Sequence, residues 1–267
     1  YAVGVFKTIP TKSGIKKAIK KGLIFIDGVI ATTSKYISGG EKIELFQSEK
    51  STNFKRLKLD LEVLFEDDYL AIIYKPAGIL VSGNKFVTIA NALSQNLRKS
   101  NLLDAVKPQP IHRLDYPTSG LLLVGKTSSA IIKLSELFAN KEITKIYHTI
   151  AIGKMCFEGI INLKVDNKNA STQFKVLKSV VSKRFGYLNL VELRPKTGRK
   201  HQLRKHLSGI SHQILGDKLY GKEDLKLKGK GLYLQASILE FKHPFTKEKI
   251  SVNKESPKKF KKIFATF

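Results

Sequence analysis

An uninterrupted apolar run, Leu121-Leu122-Leu123-Val124, follows directly on the polar stretch His112-Arg113-Leu114-Asp115-Tyr116-Pro117-Thr118-Ser119-Gly120. The run reads as a buried strand, and Pro117 and Gly120 mark the stretch before it as a loop. Any fold open to this chain must therefore set His, Arg, Asp, Thr and Ser side chains against a core strand. Polar groups in such a place are costly unless they find partners, and a buried Asp115 would need a neutralising one. A salt-bridged structural turn meets that demand as well as a catalytic loop does. The loop alone leaves both open.

The rest of the chain divides in two. Residues 14–21 read as a short helix capped by Ser13, with Ile15, Ala18 and Ile19 on one face and Gly22 at its end. Leu23-Ile24-Phe25-Ile26, Asp27-Gly28 and Val29-Ile30-Ala31 form a hairpin signal, and Lys42-Ile43-Glu44-Leu45-Phe46 reads as another strand. Lys16, Lys17, Lys20 and Lys21 make a dense basic patch, which is either an RNA contact or a solvated helix face. A polar stretch over 47–58 reads as a linker. From Leu61 the chain is strand-rich. Leu70-Ala71-Ile72-Ile73-Tyr74 is a buried strand that ends at the turn Lys75-Pro76-Ala77-Gly78. Residues 128–140 and 199–207 read as helices, the second stopped by Ser208-Gly209. Residues 143–152 alternate as a strand, with Ile146, His148, Ile150 and Ile152 on one face and Lys145 and Tyr147 on the other. Further strands are expected over 172–178, 187–193 and 233–241. The fold class expected is α+β, with a mixed, largely antiparallel central sheet and flanking helices.

Charge narrows the partners. Lys and Arg number 48 against 22 Asp and Glu, a formal net charge of +26 in 267 residues. A merely solubilising surface carries a net charge of about 2–8 in a small domain, so the excess points to a polyanion, nucleic acid first. The single cysteine, Cys156, allows no disulfide within the chain and no thiolate cluster for zinc, which fits a reducing cytoplasm. No apolar run approaches the roughly 18 residues of a membrane span. The opening residues lack the pattern of a secretory signal, and a first residue of Tyr rather than Met implies residues before it in the gene product.

Several pieces now fall in one order. The loop at 112–120 matches the "H-R-L-D-x-x-T-S-G" signature, and Lys75-Pro76-Ala77-Gly78, Lys145-Ile146-Tyr147 and Thr197-Gly198-Arg199-Lys200-His201-Gln202-Leu203-Arg204 surround it. Ile214-Leu215-Gly216-Asp217-Lys218-Leu219-Tyr220-Gly221 and His243-Pro244 follow. The chain thereby resembles the RluA-type pseudouridine synthases over about residues 61–250. Its first part resembles the S4 RNA-binding domain, with Asp27 where Asn is usual and Lys where Arg is usual. The resemblance implies an S4-like domain over 1–50 and a catalytic domain over 51–267. It implies that Asp115 attacks the target nucleoside and that Arg204 pairs with it. Tyr147 would pack against the flipped base and take a proton from the sugar, and Arg113 would enter the RNA stack. His112, Thr118 and Ser119 would support the loop. Lys145, Arg199, Lys16, Lys17 and Lys20 complete the expected RNA contacts. Tyr116-Pro117, where a charged pair is common, and Tyr74, where Asn is common, put loop contacts with RNA in doubt.

The residues support the chemistry independently. Pseudouridine formation breaks N1–C1′, turns the uracil and forms C5–C1′, with no redox change, so no cofactor is expected. Glycoside hydrolysis generally needs two carboxylates; here nothing leaves the site, and one suffices. A guanidinium beside a carboxylate favours its charged form. A stacked uridine must flip to present these atoms, at a cost of a few kcal/mol. The resemblance implies large-subunit ribosomal RNA as the first expected substrate, because S4-bearing relatives often act there, and tRNA as the next. The alternatives are a non-catalytic RNA-binding or assembly protein on the same fold, and an RNA glycosidase that releases uracil.

Two decoys fail on context. Gly120 to Thr127 spells the phosphate-loop pattern G-x-x-x-x-G-K-S/T, but its apolar strand lies between the glycines rather than before them. His201 and His206 are five apart and share no "H-E-x-x-H", so no metal is expected, and with His212 they read as structural or RNA-facing. The helix start at 197–200 could also receive a phosphate. The lysines from Lys254 to Lys262 read as solvated surface.

Overall fold

The structure, a computed structural model, describes residues 5, 6, 8, 9, 11–46, 57–225, 227 and 229–264. Most of the expected linker, and the boundary between 50 and 51, lie outside the described residues.

The first unit comprises α1 (Lys12–Lys20), β1 (Ile24–Ile26), β2 (Val29–Ile30) and β3 (Ile43–Leu45), with strand order β2-β1-β3. The helix starts earlier than Ser13 predicts. Thr11 has the extended backbone of a cap, and its hydroxyl accepts from the Gly14 amide at 3.1 Å. Asp27 and Gly28 both have positive φ, 50° and 79°, as a two-residue hairpin turn requires. The Asp27 carboxylate also accepts from the Lys42 amide at 2.8 Å, tying the turn to the approach of β3. Ile15, Ala18, Ile24, Ile26 and Ala31 form this unit's own core.

The second unit runs β4 (Val63–Glu66), β5 (Leu70–Lys75), α2 (Ile89–Asn96), β6 (Ala105–Pro110), β7 (Ser119–Thr127), α3 (Ser128–Ala139) and β8 (Thr144–Ile152). It continues with β9 (Glu158–Ile161), β10 (Thr172–Ser182), β11 (Gly186–Pro195), α4 (Gln202–Gly209), β12 (Leu234–Lys242), β13 (Lys249–Asn253) and α5 (Lys258–Phe264). The sheet order is β4-β5-β7-β12-β8-β11-β10-β9, with β6 also on β7 and β13 also on β12. The β7–β12 pairing is parallel and the other paired strands are antiparallel, so the sheet is mixed and largely antiparallel, as the sequence predicts. Among the described residues no helix is long and apolar enough to cross a membrane.

The apolar run sits in β7 and is covered on both faces. Leu122 and Val124, with Ala71 and Ile73 of β5, pack against Ile89, Ala92 and Leu93 of α2. Leu121 and Leu123, with Leu70 and Ile72, pack against Ala130 and Leu134 beneath α3. A strand buried on two sides reads as a continuous apolar run rather than an alternating one. The whole phosphate-loop pattern is thus a strand, and its Lys126 is buried against the Glu66 carboxylate at 2.7 Å.

Gly120 allows β7 to reach β12. Its φ is +125°, and a Cβ there would stand 2.2 Å from the Ala236 carbonyl oxygen. Both backbone strain and overlap oppose any side chain. Gly120→Ala is expected to lower the unfolding free energy by at least about 2 kcal/mol in denaturant titration; an unchanged midpoint would refute the close β7–β12 approach.

Candidate active site

The loop between β6 and β7 is held from below. The side chain of Lys75, at the end of β5, is fully buried, and its ammonium donates to the carbonyls of Pro76 and Thr118, both at 2.8 Å, and of Tyr116 at 3.4 Å. Burial pulls this ammonium down to about 8, against the opposing effect of the Asp115 charge. The Thr118 amide donates to the Asp115 carbonyl at 3.0 Å, closing a turn that presents the Asp115 side chain. The Thr118 hydroxyl is buried with no hydrogen-bond partner among the described residues. Sequence reasoning noted Lys75 only as part of a motif, because the contact spans more than forty residues.

Asp115, Tyr147 and Arg204 converge on one cavity of about 430 Å³. His112, Arg113, Lys145 and Arg199 line it too, while Lys16, Lys17 and Lys20 lie on α1 and are not part of its wall. Tyr147 comes from β8, where it pairs with Leu193 and Ala236 and packs against the two apolar clusters on either side. Burial, and then the Asp115 charge, push its phenol well above the ordinary tyrosine value. A phenol keeps its proton at neutral pH, and burial strengthens that hold here. It remains a stacking face and a donor.

The expected pairing of Arg204 with Asp115 is not the main one. Arg204 Nε and Nη2 each donate to a carboxylate oxygen of Asp217 at 2.7 Å, and only Nη1 faces Asp115, 3.8 Å from Oδ2. Asp217 is buried, and its Oδ1 also accepts from the amides of Leu219 at 2.9 Å and Tyr220 at 3.1 Å. Burial opposes both charges, but the shared hydrogen bonds hold the guanidinium up and the carboxyl down, so both stay ionised. The Tyr220 ring lies 5.0 Å from the guanidinium carbon.

His201 occupies the other side. Its Nε2 stands 3.7 Å from Asp115 Oδ1, and its Nδ1 is 2.8 Å from the Tyr220 hydroxyl. The remaining histidines the sequence singled out are structural: His206 bonds Thr172 and the Leu163 carbonyl, and His212 the Ile152 carbonyl. Among the described residues no cluster of three or more His, Cys, Asp or Glu could hold a metal ion. One amide of the helix start is already engaged. The Gln202 side chain accepts from Thr197 at 2.7 Å and from the Arg199 amide at 3.0 Å, so α4 begins at Gln202, and the Arg199 amide is not open to a phosphate.

Among the basic residues, Arg113 is exposed at the cavity mouth, and Arg199 is exposed and donates to the Asn169 carbonyl at 3.3 Å. Lys145 is half-buried over the Phe138 ring, and burial lowers its ammonium. His112 packs against Phe138 and accepts from the Leu123 amide at 3.1 Å, pinning the loop to β7.

The cavity sets a carboxylate, a phenol and several basic side chains around about 430 Å³, an arrangement suited to an enzyme with an anionic substrate. The sequence model of the RNA pseudouridylate synthase family matches residues 69–209. The chain is 31% identical to the ribosomal large subunit pseudouridine synthase D of Buchnera aphidicola subsp. Schizaphis graminum over 95% of this chain and 88% of that one. It is 32% identical to the tRNA pseudouridine synthase C of Vibrio vulnificus over 78% of this chain and 95% of that one. The solved structure of Human RNA Pseudouridylate Synthase Domain Containing 4 superposes with a TM-score of 0.60 at 27% identity, covering 74% of this chain and 90% of that one. The chain belongs to the RNA pseudouridylate synthase family, as an RluA-type member, and is an RNA pseudouridine synthase.

Burial, then the Lys145 charge, hold the His112 imidazole down at about 4, against an ordinary value of 6.5. A histidine lowered on folding contributes stability above 6.5 that is lost as pH falls towards 4. Across that window unfolding should therefore take up more protons in the wild type than in His112→Asn. Denaturant titrations from pH 7 to 4 test this, and parallel stability curves for the two proteins would contradict it.

Proposed function

We propose that this synthase isomerises uridine in large-subunit ribosomal RNA, with Asp115 acting on the ribose of an extruded nucleotide. The observation that carries the reading is the convergence of Asp115, Tyr147 and Arg204 on one cavity. Its volume falls in the range of about 300–1,000 Å³ usual for small-ligand pockets, enough for one nucleoside. The relatives named for the large ribosomal subunit favour that RNA. A relative named for tRNA supports tRNA as a second substrate class.

In this reading the +26 net charge draws the RNA in, and Lys145 and Arg199 meet its backbone at the cavity. His112 acts through the loop rather than on the RNA. Residues 1–50 serve as an S4-like RNA-binding module, with Lys16, Lys17 and Lys20 exposed along α1 as its contacts. Arg113 fills the gap left by the flipped base, and Tyr147 stacks on it; base–aromatic stacking is worth about 1–3 kcal/mol and offsets the flip. Asp115 then either adds to C1′ as N1 departs and is expelled when C5 attacks C1′, or takes the C2′ proton to leave a glycal and returns it to C2′ as C5 bonds to C1′. The uracil turns, C5 bonds to C1′, the C5 proton leaves and N1 gains one. Every atom is retained, and the reaction proceeds without a cofactor. The enzyme works where RNA is made and assembled, in the cytoplasm.

Asp115→Asn is expected to abolish pseudouridine formation in unmodified ribosomal RNA from cells lacking the gene, while RNA affinity stays within a few-fold. Turnover at the wild-type rate would contradict the assignment. An RNA whose mass falls during the reaction would mark a glycosidase instead.

A further inference from the structure

We infer that His201 is a positioning residue for Asp115, holding Oδ1 through its Nε2 proton while the Tyr220 hydroxyl fixes its tautomer. The inference rests on the proposed role of Asp115. The two oxygens of that carboxylate face different donors: Oδ2 meets Arg204 Nη1 at 3.8 Å, and Oδ1 meets His201 Nε2 at 3.7 Å. Arg204 cannot serve both, because its Nε and Nη2 are committed to Asp217. Two donors bracketing a carboxylate fix its plane once they close to hydrogen-bond length, whereas a single contact leaves it free to rotate. Both distances exceed hydrogen-bond length, and catalytic hydrogen bonds are often long before substrate binds and tighten afterwards.

The tautomer follows from the neighbours. A neutral imidazole carries one donor and one acceptor. If Nδ1 held the proton, the lone pair of Nε2 would face a carboxylate. With the Tyr220 hydroxyl donating to Nδ1 at 2.8 Å, the proton sits on Nε2 and points at Asp115. The groups facing the ring agree with a neutral state. Burial disfavours the imidazolium, as do Arg204 and Lys205 of α4 and the adjacent Lys200, against the opposing charge of Asp115. Asp166, from the loop beyond β9, lies across Lys205 and is paired to it. A neutral donor orients Asp115 without neutralising it.

The backbone points the same way. His201 has φ +55° in the left-handed region, which non-glycine residues seldom adopt and which collects at functional sites. It is the N-cap residue of α4, yet its side chain makes no capping bond. The strained conformation therefore serves something other than the helix, and what it achieves is to turn the imidazole between Tyr220 and Asp115.

The test uses the full chain and unmodified ribosomal RNA from cells lacking the gene, in single-turnover and steady-state kinetics. His201→Ala should slow the chemical step at saturating RNA by about tenfold to a hundredfold, the rate equivalent of a hydrogen bond to a charged group. KM should stay within a few-fold. His201→Gln, which can present an amide N–H in the same direction, should recover part of the rate. Tyr220→Phe keeps the ring beside Arg204 and removes only the hydroxyl; it should slow the wild type but add nothing in the His201→Ala background. If His201→Ala fails to fold, the Gln and Phe variants carry the test. A wild-type kcat in His201→Ala, a defect confined to KM, or additive losses for the pair would overturn the inference. Asp115→Asn run alongside separates the failures: if it is inert while the His201 and Tyr220 variants are normal, only this inference falls, whereas an active Asp115→Asn removes the reading beneath it.

Discussion

The site depends on a buried ion pair that does not include Asp115. Arg204 and Asp217 join through two hydrogen bonds of 2.7 Å, and both side chains are almost wholly buried. Desolvating two charges is expensive unless geometry is good and the remaining lone pairs are satisfied. Both conditions hold here, since the amides of Leu219 and Tyr220 complete the Asp217 shell. The consequence for function lies in what the fork leaves over. A carboxylate locked into a bidentate pair has its lone pairs occupied, and Asp115 is spared that. It meets only the third nitrogen of the guanidinium, at 3.8 Å, and keeps 26% of its side-chain surface open to the cavity.

The opposite wall is fixed by a different buried cation. Lys75 gathers three carbonyls of its own turn and the Asp115 loop, so the loop is anchored to β5 before any RNA arrives. His112 adds a tie to β7, and Gly120 lets that strand close against β12. Tyr147 sits where the apolar clusters of the two halves of the sheet meet, packed on both. The cavity is thus lined by side chains whose supports lie in rigid elements, as a preorganised site requires.

Much of this was legible in the sequence where the signals are local. The unbroken Leu121-Leu122-Leu123-Val124 marked a strand covered on both faces, and the alternation through β8 put Lys145 and Tyr147 on one side, where the structure finds them lining the cavity. Helix starts were less legible. Side chains two or three residues away decide them, and Thr11 and Gln202 moved two such starts from where composition placed them. Strands β4, β6, β9 and β13 were not anticipated: they are short, and β6 carries Pro108 and Pro110, which break the usual strand signature. Asp217 was seen only as a letter in a motif, and His201 was read as structural or RNA-facing. Their roles arise from contacts between segments that pattern alone does not bring together, and the partner that the resemblance implies for Asp115, Arg204, has a better one thirteen residues on.

The central claim is that the Asp217 carboxylate holds Arg204 in place so that Asp115 stays oriented and unblocked. The direct measurement is the single-turnover rate of uridine isomerisation by Asp217→Asn, a neutral substitution of nearly the same shape, beside its RNA affinity. The account predicts a chemical step slowed by at least about tenfold with affinity little changed, because a charge-assisted pair is replaced by a weaker one. A variant that folds, binds RNA and turns over at the wild-type rate would contradict it.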